Sequence, residues 1–354
     1  MRFSSVAREA TRNVSTGTSR VVLLFAIAMA AVGSCVSVEV LAISQRVLEA
    51  SEYRAAGAAV TVMSLPGRVQ GEACEALARV PDVLAAGALR ETGEVRAITL
   101  PGEPLDLYEV TPQFGRVLGA PNGGAGVYVS RDVAASLGAE TLPITVPPVH
   151  IRGTFDYPPD GRRAGFGWAV LAPTKDVARP FDECWVLAWP QRDDMRQIMF
   201  TAAMPSASAD SGEPPSIAQL NTKFGASFTG AEDYRSRITQ FAGQAAVALG
   251  GFMGAASLWM RRVELASNIH AGARRRDLRL QYLLETGAWT VPVAVSCTGL
   301  GCLLALALVP SEAASLCLRS LQISGWFLLS ALVGAVAGVH LIRERDLSRF
   351  VKGR

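Results

Sequence analysis

Four long apolar runs dominate this sequence, at residues 21–43, 238–260, 286–309 and 323–342. Each run has about the 20 residues that an α-helix needs to cross a hydrocarbon core roughly 30 Å thick. The remaining long segment, residues 44–237, is polar enough to fold in water and lies between the first run and the second. The sequence therefore predicts an α-helical membrane protein with four transmembrane helices and a large mixed α+β domain inserted between the first and second.

The placement of arginine sets the orientation of these spans. Basic residues concentrate in three segments, at 1–20, 261–285 and 343–354. Segments of this kind remain on the cytoplasmic side of a membrane. The short connector 310–322 carries only Arg319 against Glu312, as expected for an outer loop. We therefore expect both termini in the cytoplasm and residues 44–237 as an extracytoplasmic domain. The preference for arginine over lysine fits a bacterial protein, here a multi-pass protein of the inner or plasma membrane.

The first span has a second interpretation. The tetrad Val32-Gly33-Ser34-Cys35 loosely matches a lipoprotein cleavage site after a basic segment and an apolar stretch. Apolar residues continue to Ile43, however, which makes the run long enough to span and favours a transmembrane helix. Glu39 lies near the outer end of this run, where a carboxylate reaches the interface or a partner helix.

Motifs for catalysis and cofactor binding are absent from the sequence. It contains no GxxxxGK[ST] loop, no HExxH motif and no Cys/His cluster with zinc spacing. The three histidines fall in different parts of the predicted topology. The net charge of +3 reflects arginines that flank membrane spans, so it gives no reason to expect nucleic-acid binding. We therefore expect no catalytic residues, no metal and no cofactor.

Cysteine placement agrees with an oxidising exterior for the large domain. Cys74 and Cys184 are its only cysteines, and an extracytoplasmic location permits them to pair. A disulfide across so long a loop would stabilise the fold by about 4 to 5 kcal/mol in the chain-entropy model. The alternative is two buried free thiols. The other four cysteines, Cys35, Cys297, Cys302 and Cys317, fall in or near spans, where apolar packing accounts for them.

Local signals in the large domain predict short helices and strands, in two lobes. Predicted helices lie at 72–78, 111–118, 130–137, 192–204 and 216–224; predicted strands lie at 83–89, 95–100, 126–129, 149–155, 168–171 and 184–187. Thr92-Gly93 is the expected turn between the predicted strands 83–89 and 95–100. Ser130 is an expected N-cap, with Gly138 ending that helix. Residues 205–215, rich in Ser, Ala and Pro, predict an exposed loop.

Small residues recur within two of the spans. Gly250 and Gly254 have GxxxG spacing, as do Gly334 and Gly338. Such faces allow helices to approach closely, either within one subunit, which we favour, or across a dimer seam. None of the spans carries the buried charges expected of an ion-coupled carrier. This absence favours spans that transmit movement.

The segment RRVEL at residues 261–265 is followed by AGARRRDL at 271–278 and by Glu285. Together with EATRN at 9–13, VTPQF at 110–114 and residues 127–138, this pattern resembles the membrane subunits of MacB and FtsX-type ABC systems, called type VII. The resemblance covers nearly the whole chain. It implies an amphipathic N-terminal helix within 1–20 and a cytoplasmic coupling loop at 261–285.

In that family the coupling loop docks on a cytoplasmic ABC ATPase. The resemblance implies that the ATPase contact includes Arg261, Arg262, Glu264, Gly272, Ala273, Arg274, Arg275, Arg276 and Asp277. A Gly-Ala break between two short helices would let the segment fold flat against the inner membrane face. The alternative is that the arginines serve topology alone. Topology does not require an acid among them, so Glu264 favours docking.

The resemblance implies a non-catalytic permease subunit, with ATP hydrolysis on a separate subunit. It also implies a homodimer, or a heterodimer with a related permease, surrounded by membrane lipids. The work would be export or extraction of a lipoprotein, peptide, lipid or drug. An alternative is an FtsX-like transmembrane regulator of a cell-wall hydrolase or signalling partner. A third hypothesis is a membrane-anchored binding domain with no motor.

Overall fold

The computed structural model describes residues 3–99, 102–121, 124–138, 141–144, 148–205, 214–225 and 227–342. The chain divides into two compact units. The helical unit comprises Met1–Glu49 and Gly230–Arg354, and the sheet unit comprises Ala50–Thr229. The predicted tail 343–354 lies outside the described residues, as does most of the loop predicted at 205–215.

Within the described residues the chain forms ten α-helices and nine β-strands. The helices are α1 Phe3–Ser15, α2 Val21–Ala55, α3 Gly71–Ala76, α4 Arg131–Leu137, α5 Met195–Met199, α6 Gly230–Ser236, α7 Ala242–Trp259, α8 Arg262–His270, α9 Arg275–Leu308 and α10 Ala313–Leu341. The strands are β1 Val60–Val69, β2 Val83–Val95, β3 Leu105–Val110, β4 Val127–Ser130, β5 Thr141–Leu142, β6 Val149–Phe155, β7 Ala169–Pro173, β8 Phe181–Ala188 and β9 Ser216–Gln219.

Four helical segments are long and apolar enough to cross a membrane, which agrees with the predicted number of spans. They are Val21–Ala55, Ile238–Trp259, Arg275–Leu308 and Pro310–Leu341. All nine strands lie in the sequence after the first of these segments and before the second. The chain therefore combines four candidate spans with a sheet-rich domain.

Three of these helical segments extend beyond the predicted spans. The first continues to Ala55 over 35 residues, a length of roughly 52 Å at 1.5 Å per residue. The third begins at Arg275, within the predicted loop 261–285. The predicted outer loop 310–322 is helical, because a 3₁₀ turn covers Pro310–Glu312 and α10 starts at Ala313. Proline fits the first position of such a turn, and the Ala- and Leu-rich stretch after it continues as helix.

The core of the helical unit follows one stripe of α2. Leu24, Ala28, Val32, Val36 and Val40 recur every four residues and are all buried. They share an apolar cluster with side chains of the other three spans, among them Met253, Trp289, Val293, Cys297, Phe327 and Ala331. The spacing matches one face of a helix, so this stripe packs inward while many residues between its members are exposed, among them Val22, Leu23, Ile27 and Val38.

The two GxxxG pairs face each other within this chain. A Cβ atom on Gly254 would clash with the backbone carbonyl of Ala331, and one on Gly334 would clash with that of Gly251. Glycine is thus required for the close approach of α7 to α10. Packing within one subunit, the favoured interpretation, is confirmed for these motifs.

The sheet unit is built on one mixed sheet rather than the two lobes predicted. Its strand order is β5-β6-β4-β7-β3-β2-β8-β1-β9. β8 is an interior strand, antiparallel to both β1 and β2. Its side chains alternate between two apolar clusters: Trp185 lies in one, while Cys184 and Val186 lie in the other. This alternation is expected of a strand buried on both faces.

Several local predictions are confirmed. The helix predicted at 72–78 is α3 with the 3₁₀ turn that follows it. Ser130 caps α4 by accepting a hydrogen bond from Val133 N at 3.3 Å, and Gly138 ends that helix with a φ of +60°. β6 has the predicted bounds, Val149–Phe155.

Others are wrong. β2 continues through Thr92-Gly93, where a register shift replaces the predicted turn. The helix predicted at 192–204 shortens to α5 and a 3₁₀ turn. The helix predicted at 216–224 is instead strand β9, which pairs with β1.

Cys74 of α3 and Cys184 of β8 form a disulfide, as predicted, with Cα atoms 5.8 Å apart. Both residues are fully buried. Cys302 of α9 and Cys317 of α10 form a second pair, with Cα atoms 4.7 Å apart, where the sequence predicted apolar packing alone. Cys35 and Cys297 are free.

Candidate partner-binding site

The candidate site lies between the second and third spans, where α7 ends and α9 begins. α8 occupies Arg262–His270, and four residues separate it from α9. Gly272 lies in this break with a φ of +84°, a conformation that other residues rarely adopt. The predicted break between two helices is present, but the second helix is the long α9, which continues into the third span.

An apolar cluster holds α8 in place. Leu265 and Ala266 are fully buried and share this cluster with Leu278 and Tyr282 of α9 and with Val339 of α10. Burying a leucine side chain contributes about 1.5 to 3 kcal/mol. α8 is therefore a packed element of the helical unit.

Arg261 makes the densest set of polar contacts at the site. Its Nε and Nη2 donate to the two carboxylate oxygens of Glu264, at 2.8 and 2.5 Å, and its Nη1 donates to Glu285. The guanidinium lies over the Tyr282 ring, 5.3 Å from the centroid. Burial by itself would lower the pKa of Arg261, but the hydrogen bond to Glu264 and the charge of Glu285 outweigh it and raise that pKa. Arg261 is thus a fixed cation.

Glu285 is a buried carboxylate with a complete set of partners. Only 4% of the residue is exposed. Its Oε1 accepts from Asn13 Nδ2 of α1 at 2.7 Å and from Gln281 Nε2 at 3.1 Å, while Oε2 accepts from Arg261. A carboxylate in this setting is tolerated because a cation and neutral donors compensate its lost hydration.

The nine residues predicted for partner binding divide between inward-facing and surface positions. Arg261 is committed to Glu264 and Glu285, and Arg275 donates to the carbonyl oxygens of Val339 and Ile342 at 3.0 and 3.3 Å. These two guanidiniums are therefore structural. Both arginines were predicted at the ATPase contact, and the partners described here lie within the helical unit.

The surface part of the site contains fewer residues than the nine predicted. Gly272, Arg274 and Arg276 are exposed, and Ala273 is partly buried against the apolar cluster. Arg262 lies over the Trp259 ring, 5.5 Å from its centroid. Asp277 lies in the first turn of α9, where a carboxylate interacts favourably with the helix dipole. Arg274 and Arg276 are the predicted cations best placed to meet another protein.

Two residues of this site were missed as structural partners, Asn13 and Gln281. Gln281 follows from helix spacing, since it lies four residues before Glu285 on α9. Asn13 lies 272 residues from Glu285 in the sequence. No pattern in a single chain links positions that far apart.

At the opposite end of the spans, Glu39 forms a second buried ionic cluster. Its side chain is fully buried, and its Oε1 accepts from Arg237 at 3.2 Å and from Arg319 at 3.1 Å. Like Glu285, Glu39 is a buried acid paired with arginine, and Arg319 of α10 provides the contact with a partner helix that was expected for it from the sequence. Both acids are neutralised by arginines, so they join helices to one another.

The sheet unit contains a third compensated acid, Glu183 of β8. Its carboxylate accepts two hydrogen bonds from Arg163, both at 2.7 Å, one from Trp185 Nε1 at 2.8 Å and one from Ser64 at 3.0 Å. Burial would raise the pKa of Glu183, but these donors and the Arg163 charge lower it below its ordinary value.

A cavity of about 570 Å³ lies beside β9 in the sheet unit. That volume suits a small molecule. Its polar groups are engaged internally, however: Gln191 and Gln219 both donate to the Tyr53 hydroxyl, at 2.8 and 2.9 Å. Arg192 is held by Asp194 through hydrogen bonds of 2.9 and 2.7 Å. The lining therefore points to no particular ligand.

Comparisons with known proteins give little guidance. No family model matches the chain, and no curated protein matches it. Among solved structures, the chain is similar to a domain of a protein from Porphyromonas gingivalis that is provisionally described as a permease. The identity is 14% and the TM-score is 0.32, over 47% of this chain and 92% of the other. A similarity of this size supports no conclusion about function.

Proposed function

We propose that this chain is the non-catalytic membrane subunit of an ABC-type transport system. A separate cytoplasmic ATPase binds the surface formed by α8 and the start of α9, and its motion reaches the extracytoplasmic sheet unit through the spans. Two copies, identical or related, face each other in the membrane. The expected cargo is a lipoprotein, peptide, lipid or drug that is exported or extracted from the membrane.

The observation that carries this proposal is the contrast between a fixed backbone and exposed arginines. α8 is fixed by buried Leu265 and by the pairing of Arg261 with Glu285, yet Arg274 and Arg276 beside it are exposed. Topology depends on the number of basic residues and requires no defined geometry for them. A protein partner that binds a complementary surface does require the basic residues to have a defined geometry.

The chemistry of the exposed residues indicates the kind of surface that they meet. Two guanidiniums within three residues present planar donor forks, which match carboxylates in a bidentate geometry. The complementary surface on the ATPase is therefore an acidic groove. Gly272 keeps the approach to these residues open, because its position has no Cβ and no neighbouring atom close by.

A two-step experiment tests the proposal. A photo-crosslinking residue at the exposed position Ser267 should capture a nucleotide-binding subunit in cells. The captured ATPase is then reconstituted with the double variant R274K/R276K, which keeps the charge that sets topology. We expect normal membrane insertion and about tenfold weaker ATPase binding. The double variant R8K/R12K, on exposed positions of α1, serves as the matched control.

Two outcomes count against this function. The first is a crosslink at Ser267 to lipid alone, or to proteins without a nucleotide site. The second is unchanged ATPase binding and stimulation in R274K/R276K, which would leave Arg274 and Arg276 a purely topological role.

A further inference from the structure

The N-terminal helix α1 has no part in the docking surface described above, yet one of its faces is buried. Val6, Ala10 and Asn13 are its buried residues, at spacings of four and three, which place them on one side of the helix. Thr11 and Arg12 on the other side are exposed. α1 therefore lies against the helical unit with a polar residue, Asn13, inside the contact.

The partner of Asn13 explains why a polar residue occupies that position. Its amide donates to Oε1 of Glu285 at 2.7 Å, in a contact where both residues are buried. An isolated buried carboxylate is costly, so each donor to Glu285 matters. Asn13 and Gln281 supply both hydrogen bonds to this oxygen, and Arg261 supplies the one to the other oxygen.

The same carboxylate connects α1 to the residue that precedes α8. Arg261 bonds Glu285 with one edge of its guanidinium and Glu264, in the first turn of α8, with the other. Asn13, Glu285, Arg261 and Glu264 therefore form one continuous chain of hydrogen bonds. It runs from α1, through α9, to α8.

We propose that Asn13 is a positioning residue: by holding the Glu285 carboxylate, α1 fixes the position of Arg261 and hence of α8, the docking helix. This inference deepens the proposed function and rests on it for its biological meaning. Its structural content is independent of any ATPase. If Asn13 no longer donates, Glu285 has fewer donors and Arg261 is held less firmly. The backbone hydrogen bonds of α8 then open more often.

Amide hydrogen exchange on the full-length protein in lipid nanodiscs tests this directly. Asn13→Leu removes the donor and keeps the number and branching of side-chain heavy atoms, and Asn13→Asp puts a second carboxylate beside Glu285. We expect exchange of the α8 amides, residues 262–270, to accelerate about tenfold in the first variant and further in the second. Thr11→Ala, on the exposed face of α1, should leave α8 exchange unchanged.

Two further measurements separate positioning from general misfolding. Exchange in α7, which packs on α10 elsewhere in the unit, should remain at the wild-type rate in every variant. The double variant N13D/E285Q returns one negative charge and one amide to the pair, so it should recover part of the α8 protection that Asn13→Asp loses. Unchanged α8 exchange in Asn13→Leu and Asn13→Asp, or α7 exchange rising in parallel with α8, overturns the proposal.

The two proposals fail in different ways. R274K/R276K leaves the hydrogen-bond chain intact, so it should weaken ATPase binding without changing α8 exchange. Asn13→Leu should change both. Faster α8 exchange in Asn13→Leu with ATPase binding unaffected supports positioning by α1 and counts against docking on α8.

Discussion

At the residue scale, glycine decides how closely α7 and α10 pack. Gly250 and Gly254 on α7 face Phe327 and Ala331 of α10, and any Cβ on these glycines would meet backbone atoms of the other helix. A backbone cannot rotate away as a flexible side chain can. The small-residue pattern in the sequence was therefore informative about packing, and the structure assigns it to a pair within the chain.

We expect Gly254→Ala to destabilise the helical unit by about 1 to 3 kcal/mol, because the added methyl group forces α7 and α10 apart. Gly243→Ala on the same helix is the matched control, since its Cβ would meet no atom within 4 Å. There the alanine should be neutral or stabilising by up to about 1 kcal/mol. Thermal unfolding of the purified variants measures both. Equal melting temperatures would mean that the α7 to α10 contact is looser than described.

Glu183 provides a second residue-scale test, through pH. Its folded pKa is lowered, so the pair with Arg163 stabilises the protein above the unfolded glutamate pKa, about 4.3, and loses this contribution as pH falls through the folded value. Arg163→Gln should destabilise by about 1 to 2 kcal/mol at pH 7, a discounted figure because Arg163 is 42% exposed. The difference from wild type should shrink towards pH 3.

The exposed pair Arg131 and Asp156 supplies the control for that experiment. Their side chains are 68% and 55% exposed, so Arg131→Gln should cost no more than about 0.5 kcal/mol at either pH. Chemical denaturation at pH 7 and pH 3 gives the comparison. A penalty for Arg163→Gln that stays constant between the two pH values would contradict ionic pairing with Glu183.

The candidate site also shows which side-chain contacts a single sequence does not predict. The motif at 261–278 predicted the helix break at Gly272, because a glycine between two helical segments has a local meaning. Whether an arginine faces inward is decided by residues far away: Arg275 by carbonyls at the end of α10, and Arg261 by Glu285. Those partners depend on how four helices pack, which one sequence does not specify.

At the scale of elements, predictions of helices and strands were confirmed where neighbouring residues determine the structure. They were wrong where pairing with a distant strand determines it. α4 was predictable because Ser130 and Gly138 cap it with their own chemistry. β9 was mistaken for a helix because Ser216–Gln219 becomes a strand only through its register with Thr61–Ser64. Short segments have weak intrinsic preferences, and a sheet edge overrides them.

The disulfide between α3 and β8 tests the fold at this scale. Its cysteines are 110 residues apart, so in the chain-entropy model it stabilises the sheet unit by about 4 to 5 kcal/mol. Cys74→Ser should lower the melting temperature strongly, and a non-reduced digest of the wild type should contain the linked peptides. Cys35→Ser, at a free cysteine, is the control and should melt as wild type. Two alkylated thiols at Cys74 and Cys184 in freshly prepared protein would refute the pairing.

At the scale of the whole molecule, the question is which side of the membrane each unit faces. The ends of the spans differ in how their arginines are used. Arg237 and Arg319 share the buried Glu39 at one end, while Arg274 and Arg276 are exposed at the other. Basic residues in short connectors remain in the cytoplasm, so we expect α8 inside and the sheet unit outside.

Cysteine labelling in spheroplasts tests this orientation. In a background with Cys35 and Cys297 changed to serine, Ser136→Cys on α4 and Ser267→Cys on α8 each supply one exposed thiol. A membrane-impermeant maleimide should modify Ser136→Cys in intact spheroplasts, because we expect the sheet unit to face outward. It should modify Ser267→Cys only after permeabilisation. The reverse pattern would invert the topology, and with it the access of a cytoplasmic ATPase to Arg274 and Arg276. Labelling of both positions before permeabilisation would put α8 and the sheet unit on one side, which contradicts a second span, Ile238–Trp259, that crosses the membrane between them.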